Sequence, residues 1–174
     1  ISYADDFVFC FQYNDEAKAF SDMLRQRLDK FGLKIAKDKS RIIEFGRNAW
    51  QKAKETGKKV DTFDFLGFTH YCDKTRYGKF KLGRRTANSR FRQKIKATNL
   101  WLKNVRNLVE LKQWWQVLGK KLIGHYNYYG ISGNTPQIRK FYKRSVALAY
   151  KWINRRSQKK SYNWEQFCRF LKYN

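Results

Sequence analysis

The feature that most constrains this 174-residue chain is a change in the spacing of its apolar residues near residues 82–88. From about residue 87 onward, apolar side chains recur every three or four positions, which is the period of an amphipathic helix. Before that point they come in short runs separated by turn-forming residues, which favours strands and hairpins. The helical stripes are Phe91, Ile95, Leu102 and Val105; Leu111, Trp114, Leu118 and Leu122; and Ile138, Phe141, Ser145, Leu148 and Trp152.

A fourth, shorter helix is predicted to begin at Asn163, a residue type favoured as an N-cap, and to bury Trp164, Phe167 and Leu171. Amphipathic helices joined by short loops predict a small bundle of three to four helices. The predicted fold class is therefore α+β: antiparallel β-hairpins plus a helix over residues 1–84, followed by an all-α domain over residues 85–174.

The first part of the chain predicts a mixture of short elements. Phe7 to Phe11 is rich in β-formers and reads as a strand. The other predicted elements are a helix over 15–31 that ends before Gly32, strands at 33–36 and 41–45 with a turn at 37–40 between them, a polar surface loop at 46–60, and a hairpin formed by 61–71, interrupted at Gly67, and 75–85.

Charge points to the partner of this chain. Lys and Arg number 39 against 14 Asp and Glu, so the formal net charge is +25. Residues 1–60 carry 13 basic and 9 acidic side chains, whereas residues 61–174 carry 26 and 5. The second part is therefore the expected phosphate-binding surface. An anionic membrane is a weaker alternative, because the cations are spread over more than 100 positions.

Cysteine usage and hydropathy bear on the compartment. The three cysteines, Cys10, Cys72 and Cys168, are odd in number and are not spaced as in a metal knuckle. The chain has no run of about 18 apolar residues, so no membrane span is predicted. The expectation is a cytoplasmic protein of bacterial type with no membrane partner, and an organelle is the alternative compartment.

Asp5 and Asp6 are the leading candidates for chemistry. They lie between two apolar stretches in Tyr3-Ala4-Asp5-Asp6 and predict the tip of a β-hairpin. Carboxylate oxygens suit Mg²⁺. Two such ions about 4 Å apart can activate a primer 3′-hydroxyl and stabilise departing pyrophosphate. The structural alternative is an ordinary turn, where Asp side chains bond nearby amides.

The segment Ile1 to Phe11 resembles the Tyr-x-Asp-Asp motif of reverse transcriptases. Later segments, in the same order, resemble group II intron-encoded reverse transcriptases and maturases. These segments are Phe31-Gly32-Leu33-Lys34-Ile35, Lys37-Asp38-Lys39-Ser40-Arg41-Ile42, Phe63-Asp64-Phe65-Leu66-Gly67-Phe68, Leu122 to Gly130, and Trp152 to Ser157. The resemblance covers essentially the whole chain. It implies the C-terminal part of a polymerase palm with a primer-grip hairpin at 1–84, and a thumb or maturase X domain at 85–174.

The resemblance also implies roles for the acidic pair. Asp5 and Asp6 become the second and third members of a catalytic triad that holds two Mg²⁺ ions. The first member lies upstream in the family, so the chain by itself is expected not to polymerise DNA. Lys39 is a catalytic candidate that would neutralise the incoming triphosphate or protonate pyrophosphate; a solvated turn lysine is the equal alternative.

Other residues are candidates for nucleic-acid contact. Leu66 and Gly67 are expected to approach the primer backbone closely, with a simple β-bulge as the alternative. Tyr126, Tyr128 and Tyr129 would stack on bases or be buried with bonded hydroxyls, and His125 is expected to be a hydrogen-bonded packing residue. The remaining candidates are Tyr3, Arg84, Arg85, Arg90, Arg92, Lys94, Lys96, Lys120, Lys121, Arg139, Lys140, Arg155, Arg156, Lys159 and Lys160.

Three functional hypotheses follow. The first is an RNA-directed DNA polymerase that uses Mg²⁺ and deoxynucleoside triphosphates on an RNA template with a DNA primer. The second is a maturase module that binds group II intron RNA and assists splicing without chemistry of its own. The third is a reverse transcriptase of the retron or diversity-generating type, against which the thumb resemblance argues.

Overall fold

The structure, a computed structural model, describes residues 1–36, 38–158 and 161–173. Those residues form two small sheets and six helices, which confirms the predicted α+β class. The chain divides into two compact units. The hairpin unit comprises Ile1–Phe65 and Cys72–Lys81, and the bundle unit comprises Leu66–Tyr71 and Leu82–Asn174.

The hairpin unit opens with strands β1 (Ser2–Tyr3) and β2 (Asp6–Phe7), which pair antiparallel with Tyr3 opposite Asp6. The predicted hairpin is therefore present, with Ala4 and Asp5 at its tip. The predicted strand Phe7 to Phe11 is wrong beyond its first residue. The later aromatic rings turn onto a helix instead: Phe9 and Phe11 lie 4.6 and 5.1 Å from the Phe20 ring.

Helix α1 (Asn14–Asp29) matches the helix predicted at 15–31 but ends two residues earlier. Phe31 is consequently outside the helix and exposed. The predicted strands at 33–36 and 41–45 are wrong, since neither segment joins a ladder. Strand propensity reflects a half-buried sheet position, which these residues do not have. The predicted turn at 37–40 includes Lys37, which lies outside the described residues; around it, the Lys39 and Ser40 amides both donate to the Ala36 carbonyl.

The predicted loop at 46–60 is wrong, because Arg47–Thr56 forms helix α2. The helix ends at Gly57, whose φ of 67° is the left-handed conformation common after a helix. Its Trp50 ring packs edge-on against Phe80 at 5.9 Å, and the Lys54 ammonium lies 3.8 Å from the centre of the Trp50 ring. The contact between Trp50 and Phe80 thus anchors a helix whose other side chains are mostly polar.

The second sheet has the order β3-β4-β5, formed by Phe63–Phe65, Phe68–Lys74 and Phe80–Thr86. It confirms the hairpin predicted from 61–71 and 75–85, and adds a short strand before Gly67. Leu66 and Gly67 are the two residues that link β3 to β4.

The bundle unit continues with α3 (Asn88–Val105), α4 (Leu111–Tyr129), α5 (Thr135–Ile153) and α6 (Trp164–Tyr173). The three predicted helices are present, but their stripes supply only part of the core: Leu102, Trp114, Leu118 and Trp152 were predicted, whereas Val146, Ala149 and Ile153 of α5 were not. Trp164 was also predicted to be buried, but it is 53% exposed because it occupies the first position of α6, where its ring contacts Tyr150 edge-on and Phe167 at 5.8 Å. The core residues are Leu102, Trp114, Leu118, Val146, Ala149, Trp152, Ile153 and Phe167.

Two asparagines fix the ends of these elements. Asn134 is fully buried; its side chain accepts from the Thr86 amide at 2.9 Å and donates to the Thr86 hydroxyl and the Tyr129 carbonyl. It therefore holds the end of β5 against the loop between α4 and α5. Asn163 and Gln166 exchange side-chain and backbone hydrogen bonds at 2.8 and 2.9 Å, a capping box that confirms the predicted N-cap.

Candidate active site and nucleic-acid interface

The acidic pair lies on a strained turn. Ala4 has a φ of 48°, a left-handed conformation that costs a non-glycine residue about 1–2 kcal/mol. Backbone hydrogen bonds between Ile1 and Val8 close the ladder on the far side of the turn. Asp5 occupies the turn itself, whereas Asp6 is a strand residue opposite Tyr3. The sequence predicted both aspartates at the tip of the hairpin. In the structure only Asp5 lies at the tip, because Asp6 pairs with Tyr3 in the ladder.

Both carboxylates are exposed, and neither belongs to an ion pair found among the described residues. The residues fit a Mg²⁺ ion, which is often held by one or two carboxylates together with substrate phosphates and water. Among the residues that the structure describes, no group of three or more His, Cys, Asp or Glu side chains could hold a metal ion. Asp5 and Asp6 are the residues that would hold a Mg²⁺ ion at this turn, with water and substrate phosphates as the remaining ligands.

Lys39 belongs to the same unit but to a different element. It lies in an exposed turn about ten residues after α1, where its amide donates to the Ala36 carbonyl. Within the described residues, no contact joins its ammonium to Asp5 or Asp6. Its catalytic role remains a prediction.

The turn between β3 and β4 is the second strained site. Leu66 has a φ of 49° and Gly67 a φ of 78°, so both central residues have the positive φ of a type I′ hairpin turn. Among the described residues, Ala4 and Leu66 are the two non-glycine residues with positive φ. A glycine is also favoured at position 67 by the space available, because a Cβ there would lie 3.0 Å from the Tyr129 hydroxyl. Gly67 is therefore part of a tight turn and not a β-bulge.

Aromatic rings of the bundle unit continue from this turn. Phe68 stacks on Tyr128 at 5.8 Å and contacts Tyr129 at 5.2 Å. The series continues through His125, Phe141 and Phe91, with centroid separations of 4.6 Å from Tyr129 to His125 and 3.7 Å from His125 to Phe141. We call the set the aromatic layer: Phe68, Phe91, His125, Tyr128, Tyr129 and Phe141.

His125 is a packing residue, as predicted, but the predicted hydrogen bond is wrong. It is buried, and neither ring nitrogen has a partner among the described residues. Burial, followed by the nearby Lys94 charge, lowers the pKa of His125 to about 4. The ring is therefore neutral near pH 7 and acts as a flat apolar surface beneath Phe141.

The tyrosines of α4 divide between the two alternatives. Tyr129 is buried, and burial raises its pKa above the usual value, as it does for the half-buried Tyr126. Tyr128 is 53% exposed, although its hydroxyl donates to the Leu66 carbonyl at 2.9 Å. Tyr128 thus keeps exposed ring surface next to the strained turn, where a base or sugar can stack.

Several predicted cations surround this layer. Arg90 lies near enough to the Tyr129 phenol, and Lys94 to the His125 ring, for their charges to interact with these groups. The Lys140 ammonium lies 5.6 Å from the centre of the Phe91 ring. The Arg85 guanidinium lies over Tyr71 at 5.3 Å. Gly83 is required below that same ring, since a Cβ there would come within 2.5 Å of it.

Other predicted cations lie elsewhere on the bundle unit. Lys121 covers Trp101 at 5.1 Å and Arg155 covers Trp152 at 5.7 Å. Arg156 is half-buried and donates to the Val109 carbonyl. Lys159 and Lys160 lie outside the described residues. The predicted cations that are exposed on strands or helices are Arg84, Arg85, Arg90, Arg92, Lys94, Lys96, Lys120, Lys121, Arg139 and Lys140.

The start of α5 carries a basic recess that the sequence revealed only in part. Arg139 and Lys140 were predicted, and Lys143 and Arg144 join them one helical turn later. These four cations occupy positions i, i+1, i+4 and i+5 of the sequence, a spacing that places them on one face of a helix. That spacing could have predicted the recess. We call these four cations, with Thr135 and Pro136, the α5 recess.

Acidic residues are missing from the three long bundle helices. Helices α3, α4 and α5 contain five, three and five Lys or Arg, and no Asp or Glu. None of the three ion pairs found among the described residues includes a residue of these helices. Their cations are thus available to an external polyanion. In the part of the chain that the structure describes, no helix has both the length and the apolar character needed to cross a membrane.

The first part of the chain matches a family of known proteins. Residues 1–70 match the family model described as reverse transcriptase (RNA-dependent DNA polymerase). The matched segment contains the Asp5-Asp6 turn and the Leu66-Gly67 turn. No curated protein and no solved structure matches the chain significantly.

Proposed function

We propose that this chain contributes to an RNA-directed DNA polymerase of the group II intron type, with residues 1–84 acting as part of the palm and 85–174 as the thumb. The observation that carries the proposal is the exposed Asp5-Asp6 pair on a strained hairpin turn, within a segment that matches the reverse transcriptase family. Backbone strain of this kind persists where the surrounding structure maintains it, and it clusters at functional sites.

In this proposal, Asp5 and Asp6 bind Mg²⁺ and fix its position relative to the primer end. The bound metal would supply a polarised primer hydroxyl and charge stabilisation for the leaving pyrophosphate. Lys39 would neutralise charge on the incoming deoxynucleoside triphosphate.

The bundle unit would bind the RNA template and DNA primer duplex. The aromatic layer offers Tyr128 for stacking, and Arg90, Lys94 and Lys140 lie around the layer for phosphate contact. The Leu66-Gly67 turn would approach the primer backbone. Binding of this kind neutralises phosphates and should weaken steeply as salt is raised.

The test is a charge-neutral substitution of the acidic pair in the full-length protein. Asp5→Asn with Asp6→Asn should lower Mg²⁺-dependent primer extension on an RNA template by ~100-fold or more, because both metal ligands lose their charge. Affinity for an RNA/DNA hybrid should stay within about twofold. Asp15→Asn, an exposed acid in the first turn of α1, is the matched control. Full extension by the double variant would overturn the proposal.

The second candidate function is an RNA-binding maturase module. The α5 recess supports it, because four cations without acidic neighbours form a phosphate-binding surface that needs no catalytic centre. Under this alternative, the Asp5 and Asp6 variants retain intron RNA binding and splicing in full. Glutamine substitution of the four recess cations would instead abolish splicing assistance.

A further inference from the structure

The Leu66-Gly67 turn has a residue that is poorly suited to its backbone. Type I′ turns place both central residues at positive φ, and Asn-Gly or Asp-Gly are the favoured pairs. Leu66 has no polar side chain to stabilise its φ of 49° locally. Contacts from elsewhere in the bundle unit must therefore hold the turn.

Those contacts come from the C-terminal end of α4 and the start of α3. The Tyr128 hydroxyl donates to the Leu66 carbonyl at 2.9 Å, and the Ala87 amide donates to the Gly67 carbonyl at 2.9 Å. The Tyr128 ring also stacks on Phe68 with an interplanar angle of 15°. Both turn carbonyls and the following side chain are thus fixed by the bundle unit.

Two adjacent tyrosines divide this task. Tyr129 is buried against Phe68, and its hydroxyl fills the space above Gly67. Tyr128 remains half exposed while its hydroxyl holds Leu66. Only Tyr128 therefore combines a bond to the strained residue with surface that a ligand can reach.

We propose that Tyr128 is a positioning residue, whose hydroxyl holds the Leu66-Gly67 turn in the left-handed conformation that grips a nucleic-acid backbone. This rests on the proposed function for the gripping role, but the turn-holding role does not. The bond couples α4 to the turn across 62 positions of sequence. Helix α4 thereby sets the geometry of a hairpin that belongs to the segment matched by the reverse transcriptase family.

The decisive variant is Tyr128→Phe, which keeps the ring and its stack and removes only the hydroxyl. One lost hydrogen bond should raise the exchange rate of the Ala87 amide about fivefold and weaken RNA/DNA hybrid binding about fivefold. Tyr150→Phe is the matched control, since the Tyr150 hydroxyl bonds to no described residue and its ring packs near α6.

A second substitution tests the mechanism. Asn adopts the left-handed conformation far more readily than Leu, so Leu66→Asn should hold the turn without help. In the Leu66→Asn background, Tyr128→Phe should then change amide exchange and hybrid affinity by less than about twofold. The loss caused by removing the hydroxyl should therefore depend on the residue at position 66.

The outcomes separate the two proposals. If the wild-type chain does not bind the hybrid, the gripping role and the proposed function both fall, and amide exchange alone decides whether Tyr128 holds the turn. Weaker binding with unchanged exchange would mean that the hydroxyl contacts nucleic acid directly, which overturns the positioning role. Faster exchange with unchanged affinity would show that Tyr128 holds the turn but would overturn its part in gripping nucleic acid. An equal loss in both backgrounds would overturn the positioning role.

Discussion

The hairpin unit and the bundle unit differ most in the extent to which their side chains are buried. No described residue of the hairpin unit is buried, and Phe9, Phe11 and Phe31 are 40–66% exposed. The bundle unit has a continuous core in which Leu102, Ile153 and Phe167 are 0% exposed. The acidic pair thus lies on the unit with the weaker packing, whereas the cationic surface lies on the unit with its own core.

Each unit nevertheless contains one strained non-glycine residue. Ala4 is held mainly by the local ladder of β1 and β2. Leu66 is held by one long-range hydrogen bond from the Tyr128 hydroxyl, and the Ala87 amide donates to the carbonyl of the neighbouring Gly67. Strain can therefore be maintained by a short ladder or by a packed helix, and the second arrangement should be the more rigid.

The largest expected effect tests the difference in packing. Phe167→Ala removes a fully buried ring from the bundle core and should lower the free energy of unfolding by about 3–5 kcal/mol. Phe9→Ala, which truncates a ring that is 48% exposed in the hairpin unit, should cost less than about 1 kcal/mol. Urea unfolding followed by circular dichroism measures both. Equal costs would show that the hairpin unit buries Phe9 in solution.

The next effect tests the difference in charge. Glutamine at all four cations of the α5 recess should weaken hybrid binding by about 10- to 100-fold, because each lost phosphate contact also removes counterion release. The slope of log K against log salt should become shallower by about 3. Fluorescence anisotropy over a salt series measures both quantities.

A matched control comes from α1 in the hairpin unit. Four glutamines there remove the same charge and should change the affinity by less than about threefold if the bundle unit carries the binding surface. An equal loss from both sets would make total charge, and not the recess, responsible. The control residues are Lys18, Arg25, Arg27 and the neighbouring Lys30.

A smaller effect concerns His125 and pH. Because its pKa is about 4 in the folded chain and near 6.5 when unfolded, the unfolded state binds more protons between these values. Stability should therefore fall by about 1–3 kcal/mol as pH drops from 6.5 to 4. His125→Phe should keep the stack on Phe141 and remove this part of the pH dependence. The difference between the two unfolding curves across pH isolates the imidazole from the carboxylates, and parallel curves would contradict the assignment.

The smallest effect compares two helix starts. Asn163→Ala breaks the capping box of α6 and should cost about 1 kcal/mol. Helix α1 begins after Tyr13 without a side-chain cap, so Tyr13→Ala should change stability by less than about 0.5 kcal/mol through capping. Thermal unfolding of the two variants makes the comparison, and a similar loss in both would mean that the α6 cap is not used in solution.

Sequence patterns predicted the bundle unit better than the hairpin unit for a physical reason. Stripes such as Leu111, Trp114 and Leu118 repeat over several turns, and burial reinforces them. Helix α2 was not predicted because its sequence is mostly polar and its packing depends on one side chain, Trp50. Gly57 is of the residue type favoured after a helix C-terminus and was the one signal that could have predicted it. The strands predicted at 33–36 and 41–45 failed because propensity cannot supply a ladder partner.

The candidate site shows the same limit. The Asp5-Asp6 turn was predictable, since its signal lies within four consecutive residues. The bond from Tyr128 to Leu66 joins segments 62 positions apart and left no local pattern. His125 was placed correctly in the packing, but the absence of a hydrogen-bond partner among the described residues depends on the tertiary arrangement of Phe141 and Tyr129.

If α3, α4 and α5, which contain no acidic residues, bind a polyanion as proposed, folding and polyanion binding become thermodynamically linked. A polyanion at a hundredfold its dissociation constant adds about 2.7 kcal/mol to apparent stability when it binds only the folded chain. Material that retains cellular nucleic acid should accordingly melt at a higher temperature than nuclease-treated material, and added salt should narrow that gap. A melting curve of this protein is therefore also a purity assay.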